Sequence, residues 1–199
     1  DNCRYEVFRD MAKAGCRLLY FGAESANQRI LNYYNKGITP DQTRKAVKWA
    51  QKAGIDVIVG SFIVGAPDET PKEVETTLKF AYELDIDVPQ LNILSTFPGT
   101  DLWNDLVRKG FIDEEKYWEQ GIYASQISPH ATPFEQIQKM TYEYYRTFYL
   151  RPKKLLDEIL RTFKSRYRVS ALLDNVPRTR EIIETVRRET SLKPIEASP

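Results

Sequence analysis

The sequence predicts an α/β fold of parallel strands, followed by a helical extension at the C-terminal end. Three observations carry that prediction. The first 110 residues alternate between helical spacing and short apolar runs. Lys13-Ala14-Gly15 and Lys52-Ala53-Gly54 each close a helix just before a strand, 39 residues apart, which is about one βα unit with its right-handed crossover. From residue 111 the period changes and no further strand pattern appears. Three βα units in succession indicate a (βα) barrel or an open α/β sheet. Three strands alone do not close a barrel. Either more strands precede residue 1, or the sheet keeps an open edge that something else covers.

In chain order, residues 4–14 have helical spacing (Tyr5, Phe8, Met11, Ala12) and stop at Gly15, the residue type expected just past a helix end. Cys16-Arg-Leu-Leu-Tyr-Phe-Gly22 reads as a short strand. Ser25-Ala-Asn-Gln28 has capping-box spacing and opens a helix that ends near Gly37. Thr39-Pro-Asp-Gln42 opens the next, with Pro40 at the first helical position, and Gly54 stops it. Ile55-Asp-Val-Ile-Val-Gly-Ser-Phe-Ile-Val64 is nearly continuous in apolar residues, the pattern of a central parallel strand covered on both faces. Thr70-Pro-Lys-Glu73 is another capping box, and its helix carries Val74, Leu78 and Ala81 on one face. Val88 to Ser95 reads as a strand, and Thr100 opens a helix ending at Gly110.

Residues 111–131 are mixed, aromatic and loop-like. Thr132-Pro-Phe-Glu135 is a fourth capping box for a helix with Ile137, Met140, Tyr144 and Phe148 on one stripe, broken at Arg151-Pro152. A second amphipathic helix follows, with Leu156, Ile159, Leu160 and Phe163. This gives residues 1–110 as the α/β part, 111–165 as a helical extension, and 166–199 as a basic helical or frayed tail.

The composition is that of an ordinary globular chain, 42% hydrophobic and 29% charged, with no apolar run near the ~20 residues of a membrane span. The formal net charge of +1 excludes a polyanion-binding surface as the organising feature of the whole. Residues 151–199 nonetheless carry 12 basic and 7 acidic side chains, so an excess of +5 sits in the last quarter. Those charges read first as a solvated face, with RNA or partner contact as the alternative. Cys3 and Cys16 are too few for a disulfide scaffold, and a reducing cytoplasmic setting is expected.

In a sheet of this kind the reactive edge is the C-terminal end of the strands. The segments there are Gly22-Ala-Glu24-Ser25, Gly65-Ala-Pro-Asp68-Glu69-Thr70 and Ser95-Thr96-Phe97-Pro98-Gly99-Thr100. Glu24 has two readings: a complement to the following helix dipole, or a carboxylate that accepts hydrogen bonds from ligand hydroxyls. Ser25 reads as a cap, and Asp68 and Glu69 suit a first helical turn. Gly65 marks a sharp turn or a close backbone approach. Lys36 suits a helix C-terminus, or reaches back as an anion clamp. His130 has no partner histidine, Cys16 reads as a small core residue, and Cys3 has no electropositive setting. The tyrosines of 142–149 and Phe148 follow helical spacing and read as core. No Gly-x-Gly-x-x-Gly, P-loop or His-Glu-x-x-His is present.

Taken together, Gly22-Ala-Glu24-Ser25, Leu31, Lys36-Gly37-Ile38-Thr39, Ala53-Gly54-Ile55, Phe62-Ile63-Val64-Gly65-Ala-Pro-Asp68-Glu69-Thr70 and Phe97-Pro98-Gly99-Thr100 resemble, in order and spacing, the second half of a radical SAM enzyme core. The subgroup it looks most like is the cobalamin-associated one that includes anaerobic magnesium-protoporphyrin ester cyclases and hopanoid or phosphonate methylases. Phe148-Tyr149-Leu150-Arg151-Pro152 resembles a run common there. The resemblance covers roughly 15–110, and 111–165 loosely.

The resemblance implies a partial (βα)6 TIM-like barrel of which this chain holds about strands four to six. It implies S-adenosylmethionine and a [4Fe–4S] cluster that together generate a 5′-deoxyadenosyl radical, with cobalamin on a separate domain in the subgroup. The family's Cys-x3-Cys-x2-Cys run is absent from the sequence, so the resemblance places the cluster ligands in a missing N-terminal half and no metal ligand in this chain. By position, Glu24 with Ser25 matches the motif that holds the ribose or the methionine end. Lys36 matches a basic residue on the methionine carboxylate, which favours its clamp reading. Ile63 and Gly65 match the motif that packs on adenine, and Leu94, Ser95, Thr96 and Phe97 match the segment that reads the adenine edge. Ser61 stands where the family has glycine, and Asp68 stands in place of the glycine of Pro-Gly-Glu. The expected function is methylation, cyclisation or rearrangement of a small-molecule substrate by the complete enzyme, with the isolated piece inactive. The alternatives are a tRNA-modifying relative of the methylthiotransferase or elongator type, with the basic tail on RNA, and a non-catalytic binding module.

Overall fold

The computed structural model describes residues 4–120 and 131–175. Three parallel strands, β1 (Leu18–Glu24), β2 (Val57–Val64) and β3 (Val88–Ile93), form one sheet in the order β1-β2-β3. Helix α1 (Tyr5–Lys13) precedes the sheet, α2 (Gln28–Tyr33) and α3 (Pro40–Ala53) join β1 to β2, and α4 (Pro71–Glu83) joins β2 to β3. Then come α5 (Asp101–Arg108), α6 (Glu114–Gln120), α7 (Phe134–Tyr149), α8 (Pro152–Lys164) and a last helix, α9, over 166–175. The α/β class, the parallel order and the central place of β2 are as the sequence predicts.

Alternation along the strands assigns the two faces. Leu19, Phe21 and Ala23 of β1, Ile58, Phe62 and Val64 of β2, and Leu91 and Ile93 of β3 pack into the core with the helices. Alpha3 lies on β1 and β2, α4 on β2, and α7 on both α4 and β3. The opposite face presents Tyr20, Val59 and Val88 in one register row and Gly22, Ser61 and Gln90 in the next. No described helix covers it, and Tyr20 is 64% exposed. Among the described residues, helices therefore pack on one face of β2 only, although Val59 on the other face is itself just 3% exposed. Gly60 shows how tight the helical face is: a Cβ there would stand 2.6 Å from Ile86 Cδ1, and Ile86 is fully buried. Gly60→Ala is expected to cost about 1–3 kcal/mol by overpacking, read from the urea midpoint.

The boxes at Thr39 and Thr70 form as predicted, with reciprocal bonds to Gln42 and Glu73. Two others do not. Helix α2 starts at Asn27 without a side-chain cap, because the Ser25 hydroxyl is engaged with Thr77 at 3.0 Å. Helix α7 starts at Pro133 uncapped, because Thr132 Oγ1 donates to the Glu69 carbonyl at 2.8 Å. Each hydroxyl is committed to a partner distant in sequence, one on helix α4 and one on the β2–α4 loop, and neither commitment is visible in spacing. Strand β1 begins two residues later than predicted and runs through Gly22 to Glu24. Helix α6 occupies part of the stretch expected to be loop; Trp103 of α5, fully buried, donates to Glu114 of α6 at 2.9 Å and packs on Tyr117.

The chain divides into two compact units, 1–154 and 155–199. In the first, Ile137, Tyr144 and Phe148 of α7 belong to the main core, and Lys154, 7% exposed, donates to the Ile86 carbonyl at 2.8 Å. In the second, Arg168 of α9 meets Glu158 of α8 at 2.7 Å. The predicted stripe Leu156, Ile159, Leu160 and Phe163 is exposed there. His130, Cys3 and residues 176–199 lie outside the described residues.

Candidate functional site

Parallel neighbours end on the same edge, so the segments after β1, β2 and β3 share one rim. At the tip of β1 the register shifts between Gly22 and Glu24, and Glu24 takes a left-handed φ of 57°. A non-glycine residue there is strained, and such strain persists where surrounding contacts fix it. The contact here is Lys36, whose Nζ donates to Glu24 Oε1 at 2.7 Å. Lys36 reaches the rim because α2 is short and the chain turns back at Asn35 (φ 50°), with the Lys36 amide on the Leu31 carbonyl. The pair lies directly over Gly22: a Cβ at that position would stand 2.6 Å from Glu24 Oε1 and 2.8 Å from Lys36 Nζ. A cleft of about 250 Å³ opens beside Gly22, lined also by Phe21, Ile38, Gln42 and Trp49.

Ser25 faces away from this pair. It is fully buried, bonded to Thr77 of α4, and accepts the Asn27 amide at 3.1 Å. Asn27 in turn donates to the Glu73 carbonyl at 2.9 Å. Ser25 anchors the β1 loop to α4 and offers no free surface. Ser25→Ala is expected to lower stability by about 1 kcal/mol through loss of the bond to Thr77 and the stranded Asn27 amide, measured as a shift of the thermal midpoint.

At the tip of β2, Gly65 takes φ +87°, a conformation suited to glycine. Glu69 bends back so that Oε2 accepts the amides of Gly65 (2.6 Å) and Ala66 (3.2 Å). Its burial pushes the carboxyl above the usual range, against the lowering effect of those two amides. The loop is gripped from outside as well. Arg29 donates to the Asp68 carbonyl and to both oxygens of Glu73, each within 3.0 Å.

The Arg29 guanidinium holds Glu73 at about 2, helped by the Thr70 amide and hydroxyl. A depressed carboxylate stabilises the fold fully above its ordinary value of 4.5, and that contribution is lost as pH falls toward about 2. Glu69 has the opposite sign: its raised value removes stability as pH rises through it. Acid unfolding followed by circular dichroism should therefore show a shallower acid limb in Glu73→Gln than in the wild type.

At the tip of β3, the Leu94 amide donates to the Val64 carbonyl at 2.8 Å, so residues 94–96 run alongside the β2 tip. Ser95 turns its hydroxyl to the Ile93 carbonyl at 3.4 Å, Thr96 is fully buried, and Phe97 is 60% exposed on the rim. Ile63 is the register partner of Asn92, whose amide nitrogen donates to Ser61 Oγ at 3.2 Å on the open face of the sheet. Asn92 is not singled out by the sequence, and Gly22 enters only as the first residue of the segment after β1. Strand alternation could have placed Gly22, Ser61, Gln90 and Asn92 together. Cys16 sits at the opposite end of β1 from the rim, half-buried against the core.

The model of the radical SAM superfamily matches residues 2–81, from α1 through β1 and β2 into α4. An uncharacterized methyltransferase of Pyrococcus horikoshii is 42% identical over 154 residues, 77% of this chain and 33% of that protein. The chain belongs to the radical SAM superfamily. Among further relatives, the anaerobic magnesium-protoporphyrin IX monomethyl ester cyclase of Rubrivivax gelatinosus is 34% identical over 53% of this chain and 19% of its own. The cytidylyl-2-hydroxyethylphosphonate methyltransferase of Streptomyces wedmorensis is 27% identical over 72% of this chain and 28% of its own. The chain thus spans a third or less of the length of these relatives. Coproporphyrinogen III oxidase of Escherichia coli, a radical SAM enzyme, shares the fold with a TM-score of 0.55 at 16% identity, over 74% of this chain and 30% of that one.

Radical SAM membership implies S-adenosylmethionine and a [4Fe–4S] cluster. The rim fits the first, since a carboxylate, an ammonium and a cradle free of Cβ atoms stand together at Glu24, Lys36 and Gly22. It does not fit the second. Among the described residues no three His, Cys, Asp or Glu side chains lie together as metal ligands. No described helix is long and apolar enough to cross a membrane.

Proposed function

We propose that the rim at the ends of β1, β2 and β3 holds S-adenosylmethionine for a radical SAM enzyme whose cluster is bound by residues outside this chain. The observation that carries this reading is the Glu24–Lys36 pair over Gly22. A zwitterionic, hydroxyl-rich ligand needs one acceptor for its hydroxyls and one cation for its carboxylate, and both are present 2.7 Å apart. In the free protein the two satisfy each other. On binding, Lys36 moves its charge to the methionine carboxylate and Glu24 turns to the ribose hydroxyls. Lys36 exchanges one charged partner for another and Glu24 exchanges its cation for neutral hydroxyl donors, so neither is left without a hydrogen-bond partner. Ile63 and the Gly65 turn supply the apolar, closely approached surface for adenine, with the 94–97 backbone at its edge and Phe97 as a further wall. Bound S-adenosylmethionine would supply the radical chemistry of the complete enzyme, and the part of Glu24, Lys36, Ile63, Gly65 and the 94–97 segment would be to bind and orient it.

The substrate is proposed to be a small molecule that undergoes methylation or cyclisation. The match to the Pyrococcus methyltransferase runs over 154 residues, whereas that to the tRNA-2-methylthio-N(6)-dimethylallyladenosine synthase of Cronobacter sakazakii stops at 96. Cobalamin, on a separate domain, belongs to the same reading. Equilibrium dialysis of the 199-residue chain against labelled S-adenosylmethionine tests the binding half of the proposal. Saturable binding that Lys36→Met weakens about tenfold or more is expected, from loss of a charge-assisted hydrogen bond. Binding that ignores Lys36 and Glu24 alike would end it. Grafting the chain in place of the matching 154-residue stretch of the Pyrococcus relative tests the reaction half. After anaerobic reconstitution the graft should form 5′-deoxyadenosine, and a graft with an intact cluster but no such product contradicts the assignment.

A further inference from the structure

Residues 155–175, from α8 through α9, carry their polarity turned outside in. The Arg168 side chain is 9% exposed and donates to Glu158 at 2.7 Å, so an ion pair lies between the two helices. The large apolar side chains are the ones left in solvent. Leu155, Leu156, Ile159 and Leu160 are exposed along α8, Phe163 is 81% exposed near its end, and Leu172 and Leu173 are exposed on α9. The five on α8 follow helical spacing and form one face. Phe163 and Leu173 line a single groove of about 530 Å³, so the surface continues from one helix to the other. Single exposed apolar residues are ordinary, but a contiguous set of this size marks a contact surface.

The charges beside this face indicate what covers it. Leu156, Leu160 and Phe163 stand four and three residues apart, the spacing of a seam between two helices. Asp157 and Lys164 flank that seam. Seven residues put them on the same side of α8 but about 10 Å apart along its axis, too far to meet within one copy. Among the described residues neither has an ion-pair partner, whereas Glu158 and Arg168 satisfy each other. One edge of the seam thus bears an acid toward one end and a base toward the other, a pattern complementary to itself when turned end for end. In an antiparallel pair of helices this edge meets its own copy, and acid faces base twice across a two-fold axis. In a parallel pair it would face the edge that carries Ile159, and both charges would stay unpaired. A lipid surface draws on one sign of charge, and Asp157 works against it.

We propose that a second copy of this chain covers the α8–α9 face, with the two α8 helices antiparallel and reciprocal Asp157–Lys164 pairs between copies. The proposal is independent of the cofactor reading, since none of these residues belongs to the rim.

The test is sedimentation equilibrium of the 199-residue chain over a hundredfold range of concentration. A monomer–dimer equilibrium is expected. Leu160→Glu, an exposed position on the seam, should give monomer at every concentration with the circular dichroism of the wild type. Asp157→Lys and Lys164→Asp should each weaken the dimer about tenfold or more, because like charges then face each other twice. Mixed in equal amounts, those two variants should pair with each other as tightly as the wild type does with itself, a rescue that loss of packing alone cannot produce. The proposal is overturned if the wild type is monomeric throughout, if its dimer ignores Leu160→Glu, or if the mixture associates no better than either variant by itself. A monomer that floats with phosphatidylglycerol vesicles but not with phosphatidylcholine vesicles gives the face to lipid and equally overturns it.

Discussion

Gly22→Ala is expected to abolish detectable S-adenosylmethionine binding while the protein remains folded. The new methyl group would lie 2.6 Å from Glu24 Oε1 and 2.8 Å from Lys36 Nζ, closer than real contacts allow. Both atoms are the far ends of flexible side chains, so they move aside at little cost and the backbone need not shift. Gly22 itself is exposed on the open face of the sheet and buries nothing when it gains a carbon. Stability should therefore change by about 1 kcal/mol or less, in contrast to Gly60→Ala on the packed face. The two carriers of ligand charge, by contrast, are pushed out of their cradle together. Parallel measurements of thermal midpoint and equilibrium dialysis separate the two effects. A Gly22→Ala protein that binds as tightly as the wild type shows that the ligand does not use this pair.

The second large effect is one of stability. Phe148→Ala should destabilise residues 1–154 by about 3–5 kcal/mol, although it lies 55 residues beyond the last strand. Phe148 is fully buried, with Tyr144 stacked at 5.6 Å, Tyr82 edge-on at 5.6 Å and the Arg151 guanidinium 4.7 Å above its ring. Removing the ring opens a cavity lined by side chains that α4 and α7 hold rigidly. Chemical denaturation should show one transition moved to lower denaturant. Two separated transitions would mean that α7 melts by itself and that the strands have a core of their own.

Much of the sheet was legible because its signals are local. Gly15 and Gly54 end helices with left-handed φ, Thr39 and Thr70 form their boxes, and the run into Val64 marks the central strand. Spacing failed where a side chain is claimed by something far away in sequence. Ser25 and Thr132 have the right residue three positions on, yet Thr77 and the Glu69 carbonyl take their hydroxyls across 52 and 63 residues. No local rule weighs such offers. The candidate site shows the same division. Glu24 and Lys36 were visible as residue types after a strand and after a helix, whereas their meeting depends on a turn at Asn35 and a register shift at Gly22.

The hold of Ala131 and Thr132 on the β2–α4 loop bears on how such proteins diversify. Those two residues sit at the start of the helical segment, yet they fix the carbonyls of Pro67 and Glu69. A recombination that replaced everything after the strands would sever both bonds and release the loop. Exchange of C-terminal segments between homologues is therefore tolerated only with crossover points after 132, or when the incoming segment brings an equivalent amide and hydroxyl. The loop and residues 131–132 would have to be exchanged together.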